Sequence, residues 1–255
     1  FFFKQKTAYE ILTCDWSSDV CSSDLEDREA FLLADELGFT EAYAGEHATD
    51  LSENITSCTM FLASLASATK NIKLGTGTVN LPNSHPVAVA SQIAMLDHLL
   101  DGRFIFGISP GGLLSDAEAF GNLANNRNEM FLECINHVLA LWSQAAPYDL
   151  NGKYWNISTA RTLMEEIGQG YVPRPLQRPH PEIVVTAVAP FSKGVTEAAA
   201  RGYCFDRAKI AAPPMSLTSG MRLPISAQTK PPTANTASIV HTSLGVLPDA
   251  GNLPE

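Results

Sequence analysis

Apolar positions between Glu26 and Gly202 recur in two alternating periods, one near 3.6 residues and one near 2. The clearest unit runs from Ile72 to Gly121. Its first segment, Ile72–Leu81, is apolar on alternate positions and rich in glycine and threonine, which predicts a strand. Pro86 then opens a helix to Leu100 with Val89, Ile93, Leu96 and Leu100 at helical spacing, and Gly102 stops it. Arg103–Ile108 reads as a short buried strand ending in Ser109-Pro110-Gly111-Gly112. Strand, crossover helix and strand form the unit of a parallel sheet, in which ligands gather at the carboxyl ends of the strands.

The same reading extends both ways. Asp27–Leu37 predicts a helix stopped by Gly38, with Phe31, Ala34 and Leu37 inward. Glu41–Gly45 predicts a strand running into Glu46-His47-Ala48-Thr49-Asp50. Thr56–Thr69 predicts a helix with Met60, Leu62 and Leu65 in the core. Further on, Asn126–Trp142 is expected to be a long helix buried through Met130, Ile135, Val138 and Trp142. Asn151–Val172 reads as an insertion of loops and short strands, Pro181–Ala187 as a buried strand, and Phe191–Arg201 as a helix. This alternation specifies an α/β domain.

The two ends read differently. Phe1–Leu25 carries Lys4, Lys6, Glu10 and Asp15, which break any signal-peptide apolar run. Phe3–Ile11 and Asp15–Leu25 back-translate into sequences resembling sequencing adapters, so 1–25 is expected to lie outside the fold. Tyr203–Glu255 holds seven of the 16 prolines and sustains neither period. A disordered tail and a shift of reading frame near Gly202 both account for it. The expected organisation is therefore an adapter-like segment at 1–25, a domain at 26–202 and a Pro/Ala/Ser/Thr-rich tail at 203–255.

A formal charge of −10 and a pI of 5.0, without a basic cluster, argue against nucleic acid and anionic membranes as partners. No apolar run reaches the length of a membrane span. With Cys14 and Cys21 set aside, Cys58, Cys134 and Cys204 have no paired or metal-ligand spacing, so they read as small buried hydrophobes in a cytoplasmic protein, and no metal is expected.

Three stretches carry a family resemblance: L-G-T-G-T-V-N-L-P-N-S-H-P, then M-L-D-H-L-L-D-G-R-F-I-F-G-I-S-P-G, then A-F-G. Together they resemble the luciferase-like flavin monooxygenases, a group that includes bacterial luciferase and the limonene and alkanesulfonate monooxygenases. The likeness runs from Glu26 to about Gly202. It implies a (β/α)8 TIM barrel, of which strands two to five are recognisable here, so a partial barrel with two unpaired edges is expected.

The resemblance also assigns roles. Glu46-His47-Ala48 stands where the family has Glu-His-His, which makes His47 the expected catalytic residue; a histidine at that rim can also simply bond a loop carbonyl. Gly77 and Thr78 are expected against the flavin ring, often through a non-prolyl cis peptide in the family. Asn80 and His85 follow in the same loop, and His85 is equally suited to capping the next helix. Ser109 is expected beside the flavin. Pro110 replaces an arginine found near the phosphate in bacterial luciferase, which implies weaker flavin binding. Neutral donors at the helix start around Ser192 would then hold the phosphate, with Lys193 more suited to solvent. Asp97-His98 reads as structural, bonded to Arg103 or a neighbouring helix, and Trp142, Tyr154 and Trp155 as packing rather than a substrate cavity.

The implied function is oxygenation of a small organic substrate with O2 and reduced FMN supplied by a separate flavin reductase. A homo- or heterodimer remains open. Three rivals stand beside it: a deazaflavin-dependent oxidoreductase of the same fold, a non-catalytic flavin-binding relative, and a chimeric fragment without function.

Overall fold

The computed structural model describes residues 27–186, 200–205 and 238–240, the last five of the latter two stretches by backbone alone. The chain enters through a helix over 27–36 (α1), ended at Gly38 in the left-handed region (φ 78°). Strand β1 (Glu41–Ala44) follows, then α2 (Cys58–Leu65), β2 (Lys73–Thr76), β3 (Val79–Asn80), α3 (Pro86–Leu99) and β4 (Phe104–Ser109). After these come α4 (Leu114–Ala119), α5 (Arg127–Ser143), the antiparallel pair β5 (Asp149–Asn151) and β6 (Asn156–Ser158), β7 (Glu182–Val185), β8 (Cys204–Phe205) and β9 (Ser238–Val240).

The main sheet is parallel, and its strands lie in the order β8-β7-β4-β2-β1-β9, with β3 extending the β2 side onto β4. From β1 to β8, spatial order equals chain order. The helical residues Phe31, Leu62, Leu65, Val89, Ile93, Ile135, Val138 and Leu141 all share one core with Ala42, Leu74, Phe104, Phe106 and Ile183. Helices on one face of a sequentially ordered parallel sheet make a singly wound wall, as in a barrel; a doubly wound sheet would reverse its order and carry helices on both faces. The parallel sense puts every strand's carboxyl end on one rim, which is what positions the site.

Local chemistry accounts for most boundaries. Ser57 caps α2 by accepting from Met60 N, and Asn126 caps α5 through Glu129 N while its own amide donates to Glu129 Oε1, a reciprocal capping arrangement. Pro86 opens α3, and His85 is its N-cap, accepting from Val87 N at 3.2 Å. At the far end Gly102, at φ 74°, donates to Asp97 O at 3.0 Å and closes the helix.

Two carboxylates staple the helical layer to loops. Asp35 on α1 accepts from the N–H groups of Lys70, Asn71 and Ile72 at 2.7–2.9 Å. Glu133 on α5 accepts from Lys153, Tyr154 and Trp155 at 2.8–2.9 Å, anchoring the turn between β5 and β6. Burial opposes ionisation at both, and the backbone donors outweigh it, so both carboxyls titrate below their ordinary values.

Several sequence expectations change. Ile72–Leu81 is not one strand. It divides at a cis Gly77–Thr78 peptide and ends in a 3-10 turn at Leu81–Asn83. Where the β2–β4 ladder stops, Thr76 Oγ1 replaces it, accepting from Gly107 N (2.8 Å) and donating to Gly107 O (2.7 Å). Leu37 and Met60, expected inside, are 67% and 75% exposed, because α1 and α2 end or turn before their outer faces meet another element. Buried Asp97 bonds neither Arg103 nor a helix: it accepts from Gln177 N and Nε2 in the loop before β7, at 2.8 and 2.6 Å. Arg103 donates instead to Thr69 and Ile72 O.

The bare edges expected of a partial wall are both extended. Cys204–Phe205 continues it beyond β7, past Gly202, and Ser238–Val240 pairs parallel with β1 in the register Ala42↔Ile239. Residues 1–26, 187–199, 206–237 and 241–255, and with them most of the predicted helix Phe191–Arg201, fall outside the described residues. Cys58 and Cys134 are free and buried as expected. Trp142 is core, donating to Ala90 O at 3.2 Å. Among the described residues no helix is long and apolar enough to cross a membrane, and no His/Cys/Asp/Glu group could hold a metal.

Candidate active site

Three loops meet where β1, β3 and β4 end. The first, Gly45-Glu46-His47, leaves β1 with Ala44 O already accepting from Gly77 N at 2.6 Å. A Cβ on Gly45 would lie 3.2 Å from Gly77 O, so the two backbones approach as closely as a missing side chain permits. The cis Gly77–Thr78 peptide therefore lies directly beside the β1 end, half-exposed.

Glu46 ties the loops together. Its Oε1 accepts from Asn80 N (3.1 Å), and its Oε2 accepts from Cys58 N and Sγ (3.2 and 3.0 Å). Its backbone carbonyl accepts from Asn80 Nδ2 (3.2 Å). With its amide committed in this way, buried Asn80 presents Oδ1 to the Ser109 hydroxyl at 2.8 Å, and Ser109 Oγ accepts from Gly111 N at 3.2 Å. A continuous hydrogen-bonded path thus joins the ends of three strands. Burial and the neighbouring Glu46 carboxylate push the Cys58 thiol well above its ordinary range, so Cys58 serves here as a neutral donor.

His47 is held from two sides. Its backbone N–H donates to Ile55 O at 3.2 Å, and its ring Nδ1 stands 3.1 Å from Asp116 Oδ2 on α4. The Glu53 carboxylate lies 3.6 Å from Nε2, and about a quarter of the side chain (26%) is open to solvent. Asp116 is itself buried and also accepts from Thr49 N (2.9 Å) and Thr49 Oγ1 (2.7 Å).

His47, Gly77, Thr78, Asn80 and Ser109 therefore lie at the same strand ends: Asn80 bonds Ser109 directly, Gly77 bonds Ala44, and His47 bonds Ile55 and stands against Asp116. Ser192, with Lys193, lies outside the described residues. His85 takes no part in this network. A cavity of about 220 Å3 opens behind the rim, between α2 and α3, lined by Glu46, Asn80, Asp116, Val89, Ile93 and Phe120 among others. Gly77, Thr78, Ser109 and His47 do not line it; of these, Ser109 is bonded to it through Asn80 and His47 through Asp116.

Two members carry little sequence signal. In the sequence Glu46 reads only as the neighbour of His47, yet it joins the three loops. Asp116 belongs to no motif. Its only local signal is an acidic residue in the first turn of a short helix after a strand end, which the helix dipole favours anyway.

The residues present suit the ring of a flavin: a stretch of backbone with glycine at 45 and 77, flanked by amide and hydroxyl groups at 80 and 109. The described residues include no candidate for its phosphate.

Comparison with known proteins gives the same direction. Residues 26–211 match the family model described as luciferase-like monooxygenase. Limonene 1,2-monooxygenase of Rhodococcus erythropolis is 46% identical over 96 residues, 38% of this chain and 25% of that protein. The oxygenase component of the flavin-dependent trigonelline monooxygenase of Acinetobacter baylyi is 32% identical over 162 residues, 63% of this chain and 42% of its own. Among solved structures, the oxygenating constituent of 3,6-diketocamphane monooxygenase from Pseudomonas putida, a type II Baeyer-Villiger monooxygenase in complex with FMN, superposes with a TM-score of 0.66 at 26% identity, covering 79% of this chain and 52% of that one. The chain thus spans from a quarter to about half the length of these relatives.

Proposed function

The chain belongs to the luciferase-like monooxygenase family, and from that premise we propose that it binds reduced flavin mononucleotide at the Gly77–Thr78 rim and takes part in oxygenating a small organic substrate with O2. The observation carrying this reading is the hydrogen-bonded path from Glu46 through Asn80 to Ser109, with His47 and the Gly77–Thr78 peptide beside it. Three segments distant in sequence, 46–47, 77–80 and 109, supply these residues from the strand ends, where a barrel takes its ligand.

When bound, reduced flavin supplies the activation of O2. The chain's own residues do the rest. Gly45 and Gly77 keep the backbone clear for a flat ring. Asn80 and Ser109 present an amide and a hydroxyl whose orientations are already fixed by Glu46 and Gly111, so binding need not reorganise them. His47 takes or gives a proton at Nε2, the ring nitrogen not held by Asp116. Around Ser192, outside the described residues, the helix start that the sequence predicts would supply donors to the phosphate. The flavin reaches the site reduced, from a separate reductase, in line with the relative named an oxygenase component. Free, buried Cys58 and Cys134 suit a reducing compartment, and we place the protein in the cytoplasm.

Anaerobic titration of the full chain with reduced FMN, and separately with a reduced deazaflavin, tests the reading. Saturable binding of FMN with weaker deazaflavin binding supports it, and the reverse preference assigns the chain to hydride transfer. Binding of neither removes the reading. Where FMN binds, His47→Ala should leave affinity within a factor of about 2 while lowering oxygenation by about 10²–10⁴-fold.

A further inference from the structure

The geometry points to Asp116 as a positioning residue that fixes which ring nitrogen of His47 carries the proton. This inference rests on the reading of His47 as the proton-handling group, but its structural basis is separate.

Asp116 is 3% exposed and held on three sides. The Thr49 N–H and hydroxyl both donate to Oδ1, at 2.9 and 2.7 Å, which stops the carboxylate from rotating. The hydroxyl has one proton; the carboxylate is its stronger acceptor, and Ser115 Oγ, 2.8 Å from Thr49 Oγ1, donates to that oxygen in turn. Oδ2 is left for His47 Nδ1 at 3.1 Å. An ionised carboxylate only accepts hydrogen bonds. Nδ1 must therefore carry the proton of neutral His47, and Nε2 keeps its lone pair. The other carboxylates facing this ring come from its own loop. Glu53 Oε2 lies 3.6 Å from Nε2, beyond a hydrogen bond, and Asp50, held low mainly by the Ser52 hydroxyl, is further lowered by the His47 charge. Neither competes with the 3.1 Å contact for the proton of the neutral ring.

The carboxylate thus does for His47 what a buried aspartate does in a serine hydrolase triad: it selects the tautomer and holds the ring. The base nitrogen is the one not engaged by Asp116, with Glu53 Oε2 at 3.6 Å.

Asp116→Asn makes the inference falsifiable. Thr49 still donates twice to Oδ1 of the asparagine, which turns the Nδ2 amide towards His47 Nδ1. A donor there leaves Nδ1 unprotonated and transfers the ring proton to Nε2. Ring 1H–15N correlations of the 15N-labelled full chain, at a pH where the imidazole is neutral and with His47→Ala to assign the signals, read the tautomer directly. The expected result is protonated Nδ1 in the wild type and exchanged nitrogen shifts in Asp116→Asn. Protonated Nε2 or an averaged pair in the wild type overturns the inference, as does an unchanged tautomer in the folded variant. Should Asp116→Asn lose its dispersed amide spectrum, the wild-type tautomer decides alone. Because no flavin enters the measurement, a failed flavin titration and a wrong tautomer are separate outcomes.

Discussion

The helix-covered face of the parallel sheet is built from Phe104, Phe106, Ile108, Leu74 and Ile183, packed on α1, α2, α3 and α5. On the opposite face the register rows run Tyr43–Gly75–Ile105 and Gly107–Val184, a smaller cluster of Tyr43, Ile105 and Val184 interleaved with glycine. One face fills space with side chains; the other gives it up, so that rings and backbones can approach. Phe106 sits edge-on to Trp142 at 6.1 Å between ring centroids, a contact whose neighbours can adjust. A Cβ on Gly107 would run into the Thr76 carbonyl, and backbone cannot step aside. The candidate site grows from the second kind of surface: Gly77 continues the Gly75 row, and Ser109 continues the Gly107 row.

Substitutions that exchange the two designs break the comparison most sharply. Gly107→Ala should have the largest effect, costing more than about 4 kcal/mol and leaving little folded protein, because Thr76 and Gly107 are also joined by both hydrogen bonds of the Thr76 hydroxyl. Soluble expression with a native-like melting transition would show that the strands can separate there. Phe106→Ala should cost about 3–5 kcal/mol by chemical denaturation, the usual price of an aromatic cavity. A smaller loss than for Gly75→Ala would reverse the proposed ranking of the two faces.

Gly75→Ala should cost less, about 1–3 kcal/mol, since the new methyl meets the Tyr43 ring, which can move. Tyr43→Ala in the same chain should recover much of that loss. A double-mutant cycle with no coupling would mean that Gly75 is not there for the tyrosine.

The smallest effect is acid sensitivity of the helical layer. Asp35 and Glu133 titrate below the ordinary values of 3.8 and 4.5 when folded. Their stabilisation is therefore complete above those values and is lost as pH falls through the lowered folded ones. Amide protection at Lys70–Ile72 and Lys153–Trp155 should weaken there first. On the opposite face the Lys73–Glu182 pair at 3.8 Å, about half-exposed on both sides, contributes little. Asp35→Asn should flatten the acid limb at Lys70–Ile72; an unchanged acid limb would mean that the staple does not bear on stability.

Much of this arrangement was written in local sequence. Alternating apolar residues, Pro86, Gly102 and the Asn126–Glu129 spacing specified a singly alternating α/β chain, because caps and periods act within a few residues. The family motifs brought His47, Gly77, Thr78, Asn80 and Ser109 forward as candidates. The apolar period could not show that Ile72–Leu81 breaks at Gly77, although the family resemblance implied a cis peptide there, since the Thr76 hydroxyl finds its partner 31 residues away. Nor could it show that Leu37 and Met60 face outward: helical period places a residue on a stripe, while only the neighbouring element decides whether that stripe is covered. The site depends on tertiary structure most of all. Glu46 meets Asn80 across 34 residues and His47 meets Asp116 across 69. Local pattern chose the elements; the parallel stacking of strands brought their ends together, because only the folded sheet puts residues so distant in sequence within hydrogen-bond reach.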